Sequence, residues 1–392
     1  MSETQSAGAG PRLITGDALE RARRLRDLSD PAGGPHAMQQ LLDRITRALV
    51  DAWDCALHVH RADPIVSTAD NYDALHYPPG AAARDARYAR YVTADTLLRT
   101  HTSAMVPPLL RALAEAERVP DAGDRPHADV LVVCPGLVYR RDTIDRLHTG
   151  EPHQADLWRL RAGPPLGADD LHGMIHALAR TTLPGMEYRC TPVEHPYTTG
   201  GLQVDALLDD AWVEIGECGI ALPALLDECG LDTRRWSGLA MGIGLDRLLL
   251  LVKCIPDIRL LRSTDPRVAR QMLDLEPWRP VSNQPPIRRD LSVAVADDRT
   301  PEEIGDRVRE AMCDALGMLE SVEALGETPG ASLPPVARRR IGLRPGQKNV
   351  LIRLVIRDLD RTLTSEEANA LRDRVYAAVH EGDAWQWASR PA

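Results

Sequence analysis

The chain has 392 residues, 44% of them hydrophobic, which is enough for two or three domains with their own cores. Its 57 acidic against 47 basic side chains leave a net charge of -10, excluding a generally basic nucleic-acid coat and restricting polyanion binding to a local basic surface. The longest aliphatic run, 248–252, is too short to span a bilayer, the first eleven residues lack an apolar signal core, and the seven scattered cysteines form no C-x-x-C pair. A soluble protein of the reducing cytoplasm, with no membrane partner, is expected.

Residues 1–35 predict a helical arm, appended to the body and closed by the breaker string Pro-Ala-Gly-Gly-Pro at 31–35. Met38, Leu41, Leu42, Ile45 and Leu49 follow a helical period that leads into an alternating strand at 56–60. Short strand candidates at 130–134, 137–139, 157–160 and 212–215 are joined by helices at 169–182, 223–229 and 245–254. Together they predict an α+β domain over 36–276, an antiparallel sheet flanked by helices.

A Pro-rich linker, 277–286, resets the chain. Beyond it, 287–392 predicts a second domain: strand 290–295, helix 301–316, strands 320–325 and 350–357, helix 365–380 and a short end at 385–387. This is the βαββαβ order of a ferredoxin-like domain. Eight arginines and lysines between 337 and 361 meet only Asp358 and Asp360 as opposing charges, a local excess of about +6. The stretch reads either as a solvated loop or as a polyanion surface.

Two strings carry the chemistry. Gly242, Gly244 and Arg247 form a G-x-G-x-x-R run into an aliphatic helix, where glycines allow close backbone approach and an arginine on the first turn can fork onto phosphate. A purely structural glycine-rich helix start is the alternative. Arg140, Arg141 and Asp142 precede a loop holding His148, after which His153, Gln154 and Asp156 enter another strand. A strand, loop and returning strand of this kind can set an arginine on one phosphate while polar side chains read a small ligand; surface ion pairing of the arginines is the alternative.

With the string Arg99-Thr-His-Thr-Ser103, and in this order, these residues resemble the class II aminoacyl-tRNA synthetases, specifically the phenylalanyl-tRNA synthetases of the single-chain, organellar-like type. The resemblance runs from about residue 36 to the C-terminus, where Pro285 to Asp290 and Asp360 to Glu367 match the ferredoxin-like anticodon-binding domain. It implies that Arg140 holds the α-phosphate of ATP and Arg247 the γ-phosphate, with Asp142, Gly242 and Gly244 around the nucleotide and His148 in the loop that closes over it. It further implies that His101, Ser103, Gln154 and Asp156 hold the amino acid's ammonium and carboxylate, with His195, Tyr197, Ala240 and Met241 around the ring. The resemblance likewise implies Mg²⁺ at the phosphates, with Glu214 and Asp205 as candidate ligands, and tRNA as the second partner, to be met by Arg338, Arg339, Arg340 and Lys348. A monomer is expected, with a dimer as the alternative.

Several positions depart from the family. Its F-P-F-T-E-P string is here His195-Pro-Tyr-Thr-Thr-Gly200, its glutamate after H-Q-x is the shorter Asp156, the phenylalanine before the motif glycine is Met241, and its D-T-F string is lost at Tyr88-Ala-Arg90. Three readings follow: a ligase charging tRNA(Phe) with phenylalanine, expected first; a paralogue charging a different or modified aromatic amino acid; and a non-catalytic tRNA-binding protein. No residue of the chain is phenylalanine at all. Codon bias is one account, favoured by lysine occurring only at 253 and 348. Selection against phenylalanine over the whole chain is the other, favoured by the 8 tyrosines and by substitution at remote sites such as Tyr72 and Val293.

Overall fold

The computed structural model describes residues 11, 13–84, 87–118, 128–141, 143–281 and 284–388. They divide into two units, 1–140 with 151–252 and 141–150 with 253–392. In the first, the predicted helical period becomes the helix Ala37–Trp53, whose buried stripe is Met38, Leu41, Leu42, Ile45 and Leu49. His36 starts it by accepting the Met38 N–H on Nδ1, and Asp54, left-handed at φ 49°, ends it. The arm folds back on the body. Its helix Gly16–Arg24 shares an apolar cluster with Leu98, Leu137 and Tyr139, and the Tyr139 hydroxyl donates to the Ala22 carbonyl at 3.0 Å.

The strands are β1 (Ala56–Val59), β2 (Ile65–Ser67), β3 (Arg90–Tyr91), β4 (Thr96–Leu98), β5 (Asp129–Leu137), β6 (His153–Ala162), β7 (Tyr188–Pro192), β8 (Thr198–Leu208), β9 (Ala211–Ala221) and β10 (Trp236–Gly244). β2, β4 and β3 make a small sheet, and the other seven are ordered β1-β5-β6-β10-β9-β8-β7, antiparallel except for β1 on β5. The last strand of this unit in chain order, β10, sits in the middle. Strand alternation sorts the side chains into two faces. Leu131, Val133, Leu157 and Met241 lie on one face, while Val130, Val132, Trp158 and Ala240 lie on the other and pack with Val106, Leu110 and Ala114 of the helix Val106–Arg118. Burying each such aliphatic side chain contributes roughly 1.5–3 kcal/mol. β7 and β8, which the sequence does not predict, form a polar, glycine-containing edge hairpin.

The second unit holds β11 (Ile287–Ala296), β12 (Leu319–Pro329) and β13 (Gln347–Ile356) in the order β11-β13-β12, with helices Pro301–Ala311, Pro335–Ile341 and Ser365–Val379. Reciprocal capping boxes, Thr300 with Glu303 and Thr364 with Glu367, start the two longer helices. Their apolar faces bury Ile304, Val308 and Val375 against Leu291, Val293, Ile352 and Leu354. The expected last strand at 385–387 is not formed. The edge of β11 is met by side chains instead: His380 Nδ1 accepts from Ala294 N–H at 3.1 Å and Glu381 Oε2 from Ala296 N–H at 3.1 Å. Trp385 packs edge-on against Tyr376 and His380. The segment 141–150 belongs to this unit, bridging Ile144 to Val322 and pairing Arg141 with Asp306 at 3.2 Å. Among the described residues no helix is long and apolar enough to cross a membrane.

Candidate active site

β10 places its motif beside two partners at once. Gly242 pairs with Asp156 on β6 and with Glu217 on β9, and Gly244 pairs with Gln154. Directly paired residues share a face, so Gln154, Asp156, Ala240, Gly242, Gly244 and Glu217 line one side of the sheet. A bulge at Ile215 changes the register between β8 and β9, so that Glu214 opposite Asp205 and Glu217 opposite Gln203 fall on that same side. Two glycines with no side chain therefore form a trough between carboxylates. A Cβ at Gly242 would meet nothing within 4 Å except Asp156 Oδ2, at 3.9 Å.

The Arg99-to-Ser103 string builds one wall. Arg99 is structural, donating to the carbonyls of Leu137 at 2.7 Å and Ala62 at 3.1 Å. Asn71 and Thr100 bond reciprocally, at 2.9 and 3.2 Å, fixing the turn. Thr102 donates to Asp156 Oδ2 at 2.7 Å, and Trp158 Nε1 donates to Oδ1 at 3.1 Å. Asp156 is buried, and burial raises its pKa against the pull of Thr102, Trp158, Ser103 and Arg140. Both ring nitrogens of His101 are shut off from solvent without a hydrogen-bond partner. Burial and the Arg140 charge pull its pKa down to about 3, so the ring is neutral.

Aromatic rings continue the wall. Tyr77 stacks on His101 at 5.5 Å and tilts against Tyr197 at 6.1 Å, while Tyr197 stacks on Trp158 at 6.2 Å and lies 5.8 Å from His195. Trp158 and Ala240 are paired across β6 and β10, so this aromatic cluster lies beside the trough. Burial pushes the Tyr77 hydroxyl up to about 12 and that of Tyr197 well above its ordinary value. Neither ionises near neutral pH. His195 Nε2 lies 2.8 Å from Glu217 Oε2, and this hydrogen bond holds the Glu217 carboxyl below its usual range, aided by Arg140 and Arg247.

The two arginines are each anchored by one main-chain carbonyl. Arg140 Nε donates to Thr100 O at 2.6 Å, and Arg247 Nη1 donates to Glu214 O at 2.8 Å with the Glu214 carboxylate 3.6 Å away. The remaining guanidinium nitrogens have no further hydrogen bond among the described residues, which leaves them to meet an anion. Behind them, His153 donates from Nδ1 to Asp246 at 3.0 Å while its Nε2 accepts from Leu28 N–H at 3.0 Å, tying the start of β6 to the helix Leu245–Lys253.

Mg²⁺ at a phosphate site needs one or two carboxylates, the rest of its oxygens coming from phosphate and water. Glu214, part-exposed beside Arg247, fits that demand. Asp205 is buried and its oxygens are taken by Arg189 at 2.9 Å and Gln203 at 2.7 Å. No cluster of three or more His, Cys, Asp or Glu suited to a metal occurs among the described residues.

The first unit thus brings together His101, Ser103, Arg140, Gln154, Asp156, His195, Tyr197, Glu214, Ala240, Gly242, Gly244 and Arg247. Met241 alternates to the opposite face, between Leu157 and Cys218. Asp142 lies outside the described residues. His148 belongs to the second unit, its Nδ1 2.8 Å from Asp145. There Arg338 donates to the carbonyls of Leu333 and Ala331 and Lys348 pairs with Glu327 at 2.6 Å, whereas Arg339 and Arg340 stand exposed on the helix Pro335–Ile341. Arg338, Arg344 and Lys348 also line a cleft of about 840 Å³. Sequence reasoning missed Tyr77, Thr102 and Glu217. The signal for Glu217 was a second carboxylate, three residues after Glu214 and between Gly216 and Gly219, in a strand whose other residues are uncharged.

The antiparallel sheet, the glycine trough and the two anchored arginines define a class II synthetase core. A family model described as tRNA synthetases class II core domain (F) matches residues 24–272, and the chain belongs to that family of ligases. Its relatives include the chloroplastic/mitochondrial phenylalanine–tRNA ligase of Arabidopsis thaliana, 28% identical over 332 residues that cover 81% of this chain and 70% of that protein. The phenylalanine–tRNA ligase alpha subunit of Prochlorococcus marinus (strain MIT 9313) is 33% identical over 268 residues, covering 67% and 76%. Among solved structures, a pyrrolysyl tRNA synthetase of Desulfitobacterium hafniense aligns with a TM-score of 0.41 at 17% identity, over 62% of this chain and 77% of that one.

Proposed function

We propose that the chain charges tRNA(Phe) with phenylalanine in two steps, through an aminoacyl-adenylate made from ATP. The observation that carries this is the succession of three features in the first unit: an aromatic cluster beside Ala240, a glycine trough flanked by carboxylates, and two guanidinium groups anchored by main-chain carbonyls. A phenylalanine ring, its ammonium and the phosphates of ATP match them in that order. Its relatives bear the name of this activity.

Attack of the amino-acid carboxylate on the α-phosphorus breaks the bond to pyrophosphate and calls for no protein base. Catalysis is then alignment and charge neutralisation. Arg140 meets the α-phosphate and Arg247 the γ-phosphate, each oriented by its carbonyl anchor. Neutral His101 and Ser103 receive the amino-acid backbone. Mg²⁺ supplies additional positive charge to the phosphates when bound, held on the protein side by Glu214. The terminal hydroxyl of tRNA then attacks the carbonyl carbon of the adenylate, forming the ester as the acyl–phosphate bond breaks and AMP leaves with the hydroxyl proton passing to phosphate or solvent, the basic residues Arg338, Arg339, Arg340 and Lys348 contributing to tRNA contact. A reducing compartment suits cysteines that form no disulfide among the described residues, and a single chain acting as a monomer is the proposed working form.

ATP–pyrophosphate exchange and tRNA charging across the natural and aromatic non-protein amino acids test the proposal. Phenylalanine should give the highest kcat/KM. Exchange with another amino acid but not with phenylalanine, or none at all, would overturn it.

A further inference from the structure

We infer that Glu217, held in place by His195, is the counter-charge that receives the ammonium group of the amino acid, and that Asp156 is not. The inference rests on the reading of the trough as the amino-acid site. Both oxygens of Asp156 are already engaged, Oδ2 by Thr102 at 2.7 Å and Oδ1 by Trp158 Nε1 at 3.1 Å, with Ser103 as a further donor, and its side chain is buried. It is the shorter carboxylate, drawn back into the sheet face by these donors. Little of its accepting capacity faces the trough.

Glu217 stands on the other side of Gly242, on the same face. His195 Nε2 holds Oε2 at 2.8 Å, and among the described residues Oε1 has no hydrogen bond. The Glu217 side chain is 38% exposed while that of His195 is only 10% exposed, so the histidine forms a buried prop behind an open carboxylate. Nothing obstructs the space between, because position 242 lacks a side chain and a Cβ there would touch only Asp156. The depressed pKa of Glu217 and the raised pKa of Asp156 run in the same direction: the open carboxylate keeps its charge and the buried one gives it up more readily. A charge-assisted bond to an ammonium belongs to the first. His195 is a positioning residue, itself seated by Tyr197 at 5.8 Å and by Thr198 Oγ1 at 3.4 Å.

The test is binding to the full chain by calorimetry, with two probes that share the ring: 2-phenylethylamine, which carries only the ammonium, and 3-phenylpropionate, which carries only the carboxylate. Glu217→Gln should weaken the amine roughly ten- to hundredfold, the range of a charge-assisted hydrogen bond, and leave the acid within about twofold. His195→Phe should follow it, and His195→Gln, which keeps a donor, should restore part of the affinity. Asp156→Asn should change amine binding by less than about threefold. Circular dichroism and thermal unfolding check that the variants are folded. Unchanged amine affinity in Glu217→Gln, or a loss confined to Asp156→Asn, overturns the assignment. Loss of Mg²⁺-dependent ATP affinity in Glu217→Gln with amine binding intact overturns it too, making Glu217 a metal ligand. Glu217-dependent amine binding in a chain that activates no amino acid would support the ammonium site while sinking the ligase reading.

Discussion

Thr102 donates its hydroxyl to Asp156 across 2.7 Å, joining the Arg99-to-Ser103 string to a strand 54 residues further on. Removing the donor leaves a buried carboxylate oxygen unsatisfied. Thr102→Val should therefore destabilise the first unit by about 1–3 kcal/mol, whereas Thr102→Ser should stay close to wild type. Urea unfolding of the two variants measures the difference.

His101 imposes a pH dependence on stability. Its folded pKa lies near 3, well below the ordinary value of 6.5. Between those values the unfolded chain binds the extra proton, so the contribution is complete above pH 6.5 and is lost as pH falls toward 3. The slope approaches about 1.4 kcal/mol per pH unit. His101→Asn should flatten the curve in that window; parallel curves for the two proteins would contradict the neutral buried ring.

Tyr72 bears on the missing phenylalanine. Contrary to its expected remoteness from the site, its ring lies 6.3 Å from that of His101 and T-shaped to Tyr77; it is buried and covered by Arg84 at 5.2 Å, and its hydroxyl has no hydrogen-bond partner, Thr100 Oγ1 beside it accepting from Asn71. A phenylalanine would keep every ring contact and drop the orphan hydroxyl. Tyr72→Phe should raise stability by about 1–3 kcal/mol, seen as a higher melting temperature. A gain would mean that the chain carries tyrosine here at a cost, which a pressure on the whole sequence explains and local packing does not.

Arg339 and Arg340 are exposed side by side, while Lys348, Arg353, Arg357 and Arg361 are engaged with carboxylates. Each arginine that neutralises a phosphate releases somewhat less than one counterion. Arg339→Glu with Arg340→Glu should therefore weaken tRNA binding and lower the slope of log K against log salt by about 1–2. Filter binding between 50 and 200 mM salt reads both. An unchanged slope would remove this helix from the tRNA surface.

Much of the fold was legible because its signals are local. The stripe from Met38 to Leu49, the breaker at 31–35 and the short strand runs that became parts of β5, β6 and β13 each depend on residues within a few positions of one another. The β7–β8 hairpin was hidden by its glycines and polar side chains. The expected strand at 385–387 failed because His380 and Glu381 take the N–H groups on the edge of β11 that it would have used.

For the site, residue type and spacing pointed to Arg140 and Arg247 as phosphate partners, and the family resemblance the strings carry pointed to His101, Ser103, Gln154 and Asp156. What they could not reveal is which face each strand turns and which residue stands opposite. The insertion of β10 between β6 and β9 sets Asp156 and Glu217 on either side of Gly242 and sends Met241 to the far face; the bulge at Ile215 swings Glu214 and Glu217 to the same side. Register is a long-range property, settled by pairing between segments far apart in the chain, and a slip of one residue would exchange the two faces. Residue chemistry was written in the chain, while the pairing of Glu217 with His195 and the closure of Asp156 behind Thr102 and Trp158 came only with the packed sheet.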